Sequence, residues 1–575
     1  MAIVKTVNND TGSQTDLVTG LPTYPKGGVI TYMYTTPGDF ATTRKLYAIG
    51  NNEFWYESSA GVMAELDAAN GDMDITTQLM SAEAYEKVFI ANGTNLKVAD
   101  FVNIRLTSET AISSNVPAFG SILTQATSGA SIVVDLLNYD TTAEDHYVYG
   151  RNLDTGTWNT TNNVLDVDSN VIITGAGLSA VTTGPLWYDW VPYNTGQVTT
   201  FDGIPTNVQI ICRYRGRVVV AGDTTDPNQW YMSRMGNPWD WAYTSLDAQS
   251  AVSGEAGEMG KSADIIKALI PYKDDYLIIG GEHTMSVMRG DPADSGSLDT
   301  IEETIGIFGS KSWCFDGEGN LYFWGTGGIY KMPYGFGRVL PISKNALPNL
   351  GGGSGEFDSP TPSTHSINMA YDVKRLGINI VVVNRSDGSH RGYFYDLRIG
   401  GFYPETYPEA GVSFSMLYYP SNDPNDSGML MGCKDGYIRI LDSSSADDID
   451  ADDENVLIES YVTLPIIKLG PEDREGVISE IVFETGGGGA NNSFGDTDSM
   501  DYYLYIADSY EEALEKVIDG GTPTLSGTVS GSGRTRIRDR IRGAYAGILL
   551  FNDTESETWA INKIYADIKP VGKIR

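Results

Sequence analysis

The sequence predicts an all-β chain. It reads as a β-propeller of about seven blades, interrupted by a small inserted β module and followed by a C-terminal β-sandwich-like domain. Three observations predict this. First, strand–turn–strand phrases recur, in which β-branched or aromatic runs flank a glycine turn. Second, the composition suits many short strands, with 65 glycines, 34 tyrosines and 11% aromatics in 575 residues. Third, the later phrases follow one another at intervals of roughly 45 to 60 residues, the span of a blade with long loops. One such unit cannot bury both its faces. Units stacked around an axis can, and ring closure protects most strand edges. Two separate β-sandwiches are the rival arrangement of the same strands.

Residues 1–40, rich in Gly, Pro and Thr, read as an extended arm or edge strand. The first blades occupy 41–104. In them Lys45-Leu-Tyr-Ala-Ile49 and Glu53-Phe-Trp-Tyr56 flank one turn, and Lys87-Val-Phe-Ile-Ala91 and Asn95-Leu-Lys-Val98 flank Asn92-Gly93. An Asn-Gly pair between apolar runs is a strong hairpin signal. Residues 75–86 read as a short helix or a connecting strand. The texture changes over 105–185, which is rich in Ser, Thr and Asn and poor in charge. This stretch reads as a small all-β domain inserted into the repeat array and facing outward, where partners could be met. A long decorated loop is the alternative.

The remaining blades fill 186–442. The clearest phrase is Arg217-Val-Val-Val-Ala-Gly-Asp223 followed by Asn228-Gln-Trp-Tyr-Met-Ser-Arg234, and further copies lie at 265–288, 312–332, 366–396 and 412–441. Residues 351–360 form a glycine-rich loop between blades. Residues 443–456 form an acidic linker that lacks the glycine and terminal glutamate spacing of a calcium-binding loop. Alternating strands resume in a C-terminal β domain over 457–575, with a short helix at 509–517.

The chemistry implied is sparse. A net charge of −36 and a pI near 4.3 oppose a general grip on nucleic acid, whose phosphates would be repelled. They suit a soluble acidic surface, or equally a channel wall along which DNA slides without sticking. Cys212, Cys314 and Cys433 sit in apolar or aromatic stretches without metal-ligand spacing and read as buried thiols made in a reducing cytosol. His146, His283, His365 and His390 are scattered. A Gly-x-Ser-x-Gly around Ser354 lies in a glycine loop and does not join a strand to a helix, as a nucleophile elbow must. Asp154-Thr-Gly-Thr-Trp158 is one residue short of a sialidase Asp-box and occurs once. No catalytic residue, cofactor or metal site is expected. The N-terminus lacks the apolar core of a signal peptide, and no apolar run reaches membrane-span length.

The segment Asn228-Gln-Trp-Tyr-Met-Ser-Arg-Met-Gly-Asn-Pro-Trp-Asp-Trp241 resembles virion proteins of tailed bacteriophages. It is similar to the β-propeller proteins of short-tailed phages, the tail nozzle or tail-tube-extending class. Tyr276-Leu-Ile-Ile-Gly280 with Val287, Gly319-Asn-Leu-Tyr-Phe323 with Gly328-Ile-Tyr330, and the close at 559–575 look like phrases of the same class. The resemblance covers 205–335 and 530–575. It implies a non-enzymatic structural protein made in the host cytoplasm and placed in the virion tail. There, copies of the chain, six in that class, would form a ring below the adaptor and portal-side proteins, with tail fibres as further partners. Genomic DNA would pass through the lumen without specific binding. A host-glycan-binding or depolymerising tail protein is the alternative, and a cellular propeller scaffold is a third reading. As structure, Trp230, Trp239 and Trp241 read as packing aromatics.

One motif stands apart. Arg534, Arg536, Arg538, Arg540 and Arg542 alternate along a predicted strand and so point to one face. They read as a solvated edge guarded by charge, or as a subunit-docking face against an acidic neighbour. Nucleic-acid contact is a lesser third option.

Overall fold

The computed structural model describes residues 2–6, 29–35, 42–50, 53–59, 62–67, 73, 79–112, 114–140, 143–193, 203–243, 247–257, 263–273, 275–408, 412–420, 427–434, 436–441, 447–449, 455–471, 474–487 and 497–573. Seven antiparallel four-stranded sheets run through residues 3–441 and are the blades of a β-propeller. Blade 1 is Val29–Thr35, Thr42–Gly50, Glu53–Ser59 and Val62–Glu65. Blade 2 is Met80–Ala84, Lys87–Ala91, Leu96–Asp100 and Leu186–Asp189. Blade 3 opens with Ile210–Tyr214 and Arg217–Ala221, blade 4 with Ile266–Tyr272, blade 5 with Trp313–Phe315, and blade 6 with His365–Asp372. Blade 7 is Ser413–Tyr419, Gly428–Cys433 and Tyr437–Ile440, with Ala2–Thr6 as its fourth strand. First strands abut between blades 2 and 3, 3 and 4, 5 and 6, 6 and 7, and 7 and 1, and apolar clusters join blades 1 and 2 and blades 4 and 5, so the ring closes. The two-sandwich arrangement of these residues is excluded.

The hairpins form where the turn chemistry demands them. In blade 3 the strands flank Arg215-Gly216, both at positive φ (47° and 68°), the primed turn that matches strand twist. Second strands are buried on both faces in blades 2, 3 and 5, so they carry apolar runs where half-exposed strands would alternate. Apolar seams fill the space between blades. Val219, Trp230 and Met232 meet Leu269, Leu277 and Met288 between blades 3 and 4, and Ile367, Met369 and Ile380 meet Tyr322 and Trp324 between blades 5 and 6.

Three expectations are corrected here and one open alternative is settled. Residues 29–35, within the stretch read as an extended arm or edge strand, are the first strand of blade 1, and 2–6 are the edge strand of blade 7. The Pro- and Gly-rich composition before residue 29 masked the β-branched and aromatic run that follows it. Residues 80–84, at the end of the ambiguous 75–86 stretch, are a strand. The inserted domain does not lie between blades but interrupts one. Its seven-stranded sheet, from Asn103–Ser108 to Leu178–Thr183, leaves after the third strand of blade 2 and returns to the fourth. Leu186 is the register partner of Asp100, so the module hangs from what would be a hairpin loop. Finally, the acidic linker contains an antiparallel pair, Asp447–Ile449 with Asn455–Leu457. Asp447 is buried because its carboxylate accepts the backbone N–H and hydroxyl of Ser556, at 2.6 and 2.7 Å.

Residues 442–575, with Met1–Ala2, form a second compact unit. One of its sheets has Arg474–Thr485 at the centre, Ile561–Lys573 on one side, and Gly533–Ile537 followed by Ile541–Gly543 on the other. The other sheet is ordered Ser460–Thr463, Tyr545–Asn552, Ser499–Ala507, Leu525–Ser530. Ile478, Ile481 and Phe483 of the first sheet pack on Met500, Leu504, Ile548 and Leu550 of the second. The helix Tyr510–Ile518 starts at Ser509, whose hydroxyl accepts the Glu512 N–H at 3.1 Å. No helix among the described residues is long and apolar enough to cross a membrane.

Candidate interaction surfaces

The inserted module is locked to the propeller by buried charge. Lys87 opens the fully buried second strand of blade 2, so its ammonium needs partners. It finds Asp135 of the inserted sheet at 2.5 Å and Asp100 at 4.0 Å. Asp135 is the extra residue of a β-bulge between Val134 and Leu136, after which the burial alternation changes phase at Leu136 and Leu137. It also accepts Asn103 Nδ2 at 2.8 Å and Trp239 Nε1 at 3.4 Å. Asp100 accepts the backbone N–H groups of Val102 and Asn103 at 3.0 Å each and the Tyr188 hydroxyl at 2.7 Å. Burial alone would raise the Asp135 pKa, but the Lys87 ammonium and these hydrogen bonds outweigh it and hold the carboxyl below its ordinary range. Burial likewise opposes charge on Lys87, and the two carboxylates reverse this and raise its pKa. Around the pair one apolar core runs without a break from blades 2 and 3 into the module, through Phe89, Val218, Trp239, Leu106 and Leu137.

The end of the segment that carries the phage-tail resemblance, Trp239 and Trp241, lies in this seam, and its Trp230 lies between blades 3 and 4. Trp239 and Trp241 are fully buried, Trp230 nearly so, and both Trp190 and Trp241 donate their Nε1–H to the Pro238 carbonyl. They are packing aromatics. Arg217, at the head of the same phrase, is also fully buried. It donates to Asp291 of blade 4 at 3.1 Å and to the carbonyls of Ser233 (2.9 Å) and Ser250 (2.5 Å), tying two blades together.

The five arginines fall on one edge of the first C-terminal sheet, and all are exposed. The structure supplies acidic partners from the adjacent strand for three of them. Arg534 meets Glu484 at 3.6 Å, Arg538 meets Glu480 at 3.1 Å, and Arg542 pairs with Glu475. Arg536 lies opposite Val482, and neither it nor Arg540 makes an ion pair among the described residues. The bridge-rich edge thus satisfies itself in part and leaves two cations outward.

Groups suited to chemistry do not converge. His146 is buried in the inserted sheet against Tyr139, and His283 is exposed in blade 4. His365 Nδ1 lies 2.8 Å from the Thr364 hydroxyl, and His390 Nε2 accepts the Tyr407 N–H at 3.2 Å. Burial lowers the pKa of His146, His365 and His390, and raises the thiol pKa of Cys212 and Cys314. Among the described residues no three His, Cys, Asp or Glu side chains are placed to hold a metal. Two open pockets are polar. One of about 460 Å³ in blade 6 is lined by Lys374, Arg375, Phe394, Asp396, Arg398 and Tyr403. Its Asp396 is held by Arg398 at 2.7 Å, and Arg375 is held by Glu405 at 2.6 Å. The other, about 550 Å³ in the C-terminal unit, is bordered by the Arg542–Glu475 and Lys516–Glu512 pairs.

Sequence reasoning missed the Lys87–Asp135–Asp100 network. Its one visible signal was a cation heading an otherwise apolar strand, shared by Lys87-Val-Phe-Ile-Ala91 and Arg217-Val-Val-Val-Ala221. Such a residue is either an exposed end or a buried charge with a distant partner, and the strand alone does not say which.

No family model and no curated protein matches the chain. Solved structures similar to it include virginiamycin B lyase from Staphylococcus aureus, with 9% identity, 73% of this chain and 95% of that chain covered, and a TM-score of 0.33. A streptogramin B lyase shares 8% identity over 72% of this chain and 93% of that chain, with a TM-score of 0.25. The extracellular domain of a hybrid two-component system from B. thetaiotaomicron shares 10% identity over 76% of this chain and 52% of that chain, with a TM-score of 0.23. Likeness at these scores carries no argument about activity, and the propeller assignment rests on the seven sheets themselves.

Proposed function

We propose that the chain is a structural component of a bacteriophage tail, a nozzle-like ring at the lower end of the tail that forms part of the DNA-ejection conduit. The observation that carries this reading is the segment 228–241. It bears the resemblance to short-tailed phage propellers; its Trp239 and Trp241 are buried in the core that blades 2 and 3 share with the inserted module, and its Trp230 is buried between blades 3 and 4. Its residue pattern is therefore a packing requirement of this architecture and not an incidental surface phrase. The acidic composition supports a lumen that repels DNA. The propeller would supply rigid bulk, and the C-terminal unit contacts to neighbouring copies. The protein would act without catalysis. The alternative is a host-glycan-binding or depolymerising tail protein; its depolymerising form needs two carboxyl groups free to exchange protons across a sugar, whereas Asp396 at the blade 6 pocket and Glu405 beside it are already engaged by arginines. Cryo-electron microscopy of assembled particles tests the reading. The expected result is ring density at the tail tip that fits the propeller. A purified chain that stays monomeric and has no affinity for virion proteins would sink it.

A further inference from the structure

We infer that copies of the chain join head to tail through the C-terminal unit, the arginine face of one copy receiving the acidic helix Tyr510–Ile518 of the next. The inference rests on the ring reading above and names the contact. Three observations carry it.

The first is charge. The first C-terminal sheet, over 474–485, 533–543 and 561–573, has nine Lys and Arg against five Asp and Glu, in a chain whose net charge is −36. Residues 508–519, around the helix, have five acidic residues and one lysine. The second is direction. Ile537 and Ile541 point into the core, so Arg534, Arg536 and Arg538 point out of the sandwich on the first sheet's side. The helix lies on the outer face of the other sheet, because its Ala513 and Val517 pack at Gly547 while the alternating Ala546 and Ile548 enter the core. Within one copy Arg542 and Glu475 line a pocket with Glu512 and Lys516 of the helix; Arg536 and Arg540, which make no ion pair among the described residues, are left for a second copy. The third is uncovered apolar surface. Leu514 and Ile518 are 38% and 69% exposed beside the exposed Glu511 and Glu515. On the receiving face Tyr565 is 38% exposed, with the Arg534 guanidinium 5.8 Å and the Lys563 ammonium 4.4 Å from its ring centre. Isoleucine and leucine can pack on the tyrosine and the arginine stems while the glutamates reach Arg536 and Arg540. Two different patches in contact make a heterologous interface, the kind that propagates around a ring. The prevailing negative charge disfavours nucleic acid as the occupant.

Sedimentation of the full-length chain at low ionic strength tests this. The wild type associates, less so as salt rises. Arg536→Glu with Arg540→Glu weakens association at least about tenfold, and so does Glu511→Arg with Glu515→Arg. Combining all four reversals in one chain restores it, which loss of folding could not do. If the wild type forms rings that ignore these reversals, the contact is wrong and the ring reading stands. If the wild type stays monomeric, the ring reading falls and the contact with it. If the arginine reversals abolish binding of a short DNA duplex and leave self-association unchanged, the face belongs to nucleic acid and the inference is overturned.

Discussion

The inserted module and the C-terminal unit use charge in opposite ways. In the module's seam, Lys87 and Asp100 are taken out of water, Asp135 is half-buried, and each is held by several partners. In the C-terminal unit, five arginines stay in water, and three of them lean on glutamates of the next strand. A buried charge is costly to misplace, so it fixes geometry. An exposed pair contributes little to stability, so it is free to serve recognition. The module is therefore built as an immovable part of blades 2 and 3, whereas the C-terminal unit has its own core and spends its charges outward.

The largest expected effect breaks the buried side of this comparison. Lys87→Met leaves two carboxylates without their ammonium and should cost about 3–5 kcal/mol, read by denaturant unfolding and by loss of amide protection in the inserted sheet. A loss below about 1 kcal/mol would mean that the apolar core alone fixes the module. The same network predicts a pH window. The Asp135 pKa is lowered on folding, so its contribution is present above the ordinary carboxylate pKa of about 4 and is lost as pH falls through the folded value. Lys87, raised on folding, contributes below about 10.4 and fades as pH climbs through its folded value. Acidification should therefore release amide protection in the module before it does so in blades 4 and 5. Simultaneous loss would contradict this.

Lys311 sharpens the comparison by showing a buried ammonium without the network. It precedes the first strand of blade 5, its carbonyl accepts the Met369 N–H at 3.0 Å, and its buried Nζ has no hydrogen-bond partner among the described residues. Burial pushes its pKa down to about 8. The folded pKa lies below the unfolded one, so the penalty grows as pH falls from about 10 to 8 and is complete at neutrality. Lys311→Met should stabilise by on the order of 2 kcal/mol at pH 7 and by much less at pH 10. Destabilisation at pH 7 would point to a partner such as an ordered water.

The blades were legible in the sequence because their turns are local: Arg215-Gly216 and Asn92-Gly93 announce hairpins without reference to the rest of the chain. Strand membership across distance was not. Ala2–Thr6 belongs to blade 7 and Leu186–Asp189 to blade 2, and nothing in either stretch names its partner. Asp135 drew no reading from the sequence, because a bulge leaves no mark in a periodic pattern. The arginine alternation was visible as a face, but its glutamates stand 50, 58 and 67 residues earlier in the chain, so the ion pairs were not. The buried fate of Trp239 and Trp241 was foreseen; their role in joining a blade to the inserted module was not.

The smallest effects belong to the exposed side. Ser509→Ala removes the hydroxyl that accepts the Glu512 N–H and should cost about 1 kcal/mol, confined to the C-terminal unit. Smaller still, Arg536→Ala should change stability by less than about 0.5 kcal/mol, because its side chain is exposed and makes no ion pair among the described residues. Thermal unfolding measured beside Arg534→Ala separates two roles for the strand. If the arginines exist to hold the sheet edge, removing the paired Arg534 should cost more than removing Arg536, since it frees Glu484. If they exist to meet a neighbour, both substitutions should be nearly silent in the separated chain. In the assembled state Arg536→Ala should then cost more than Arg534→Ala, because Arg536 is the cation with no partner of its own.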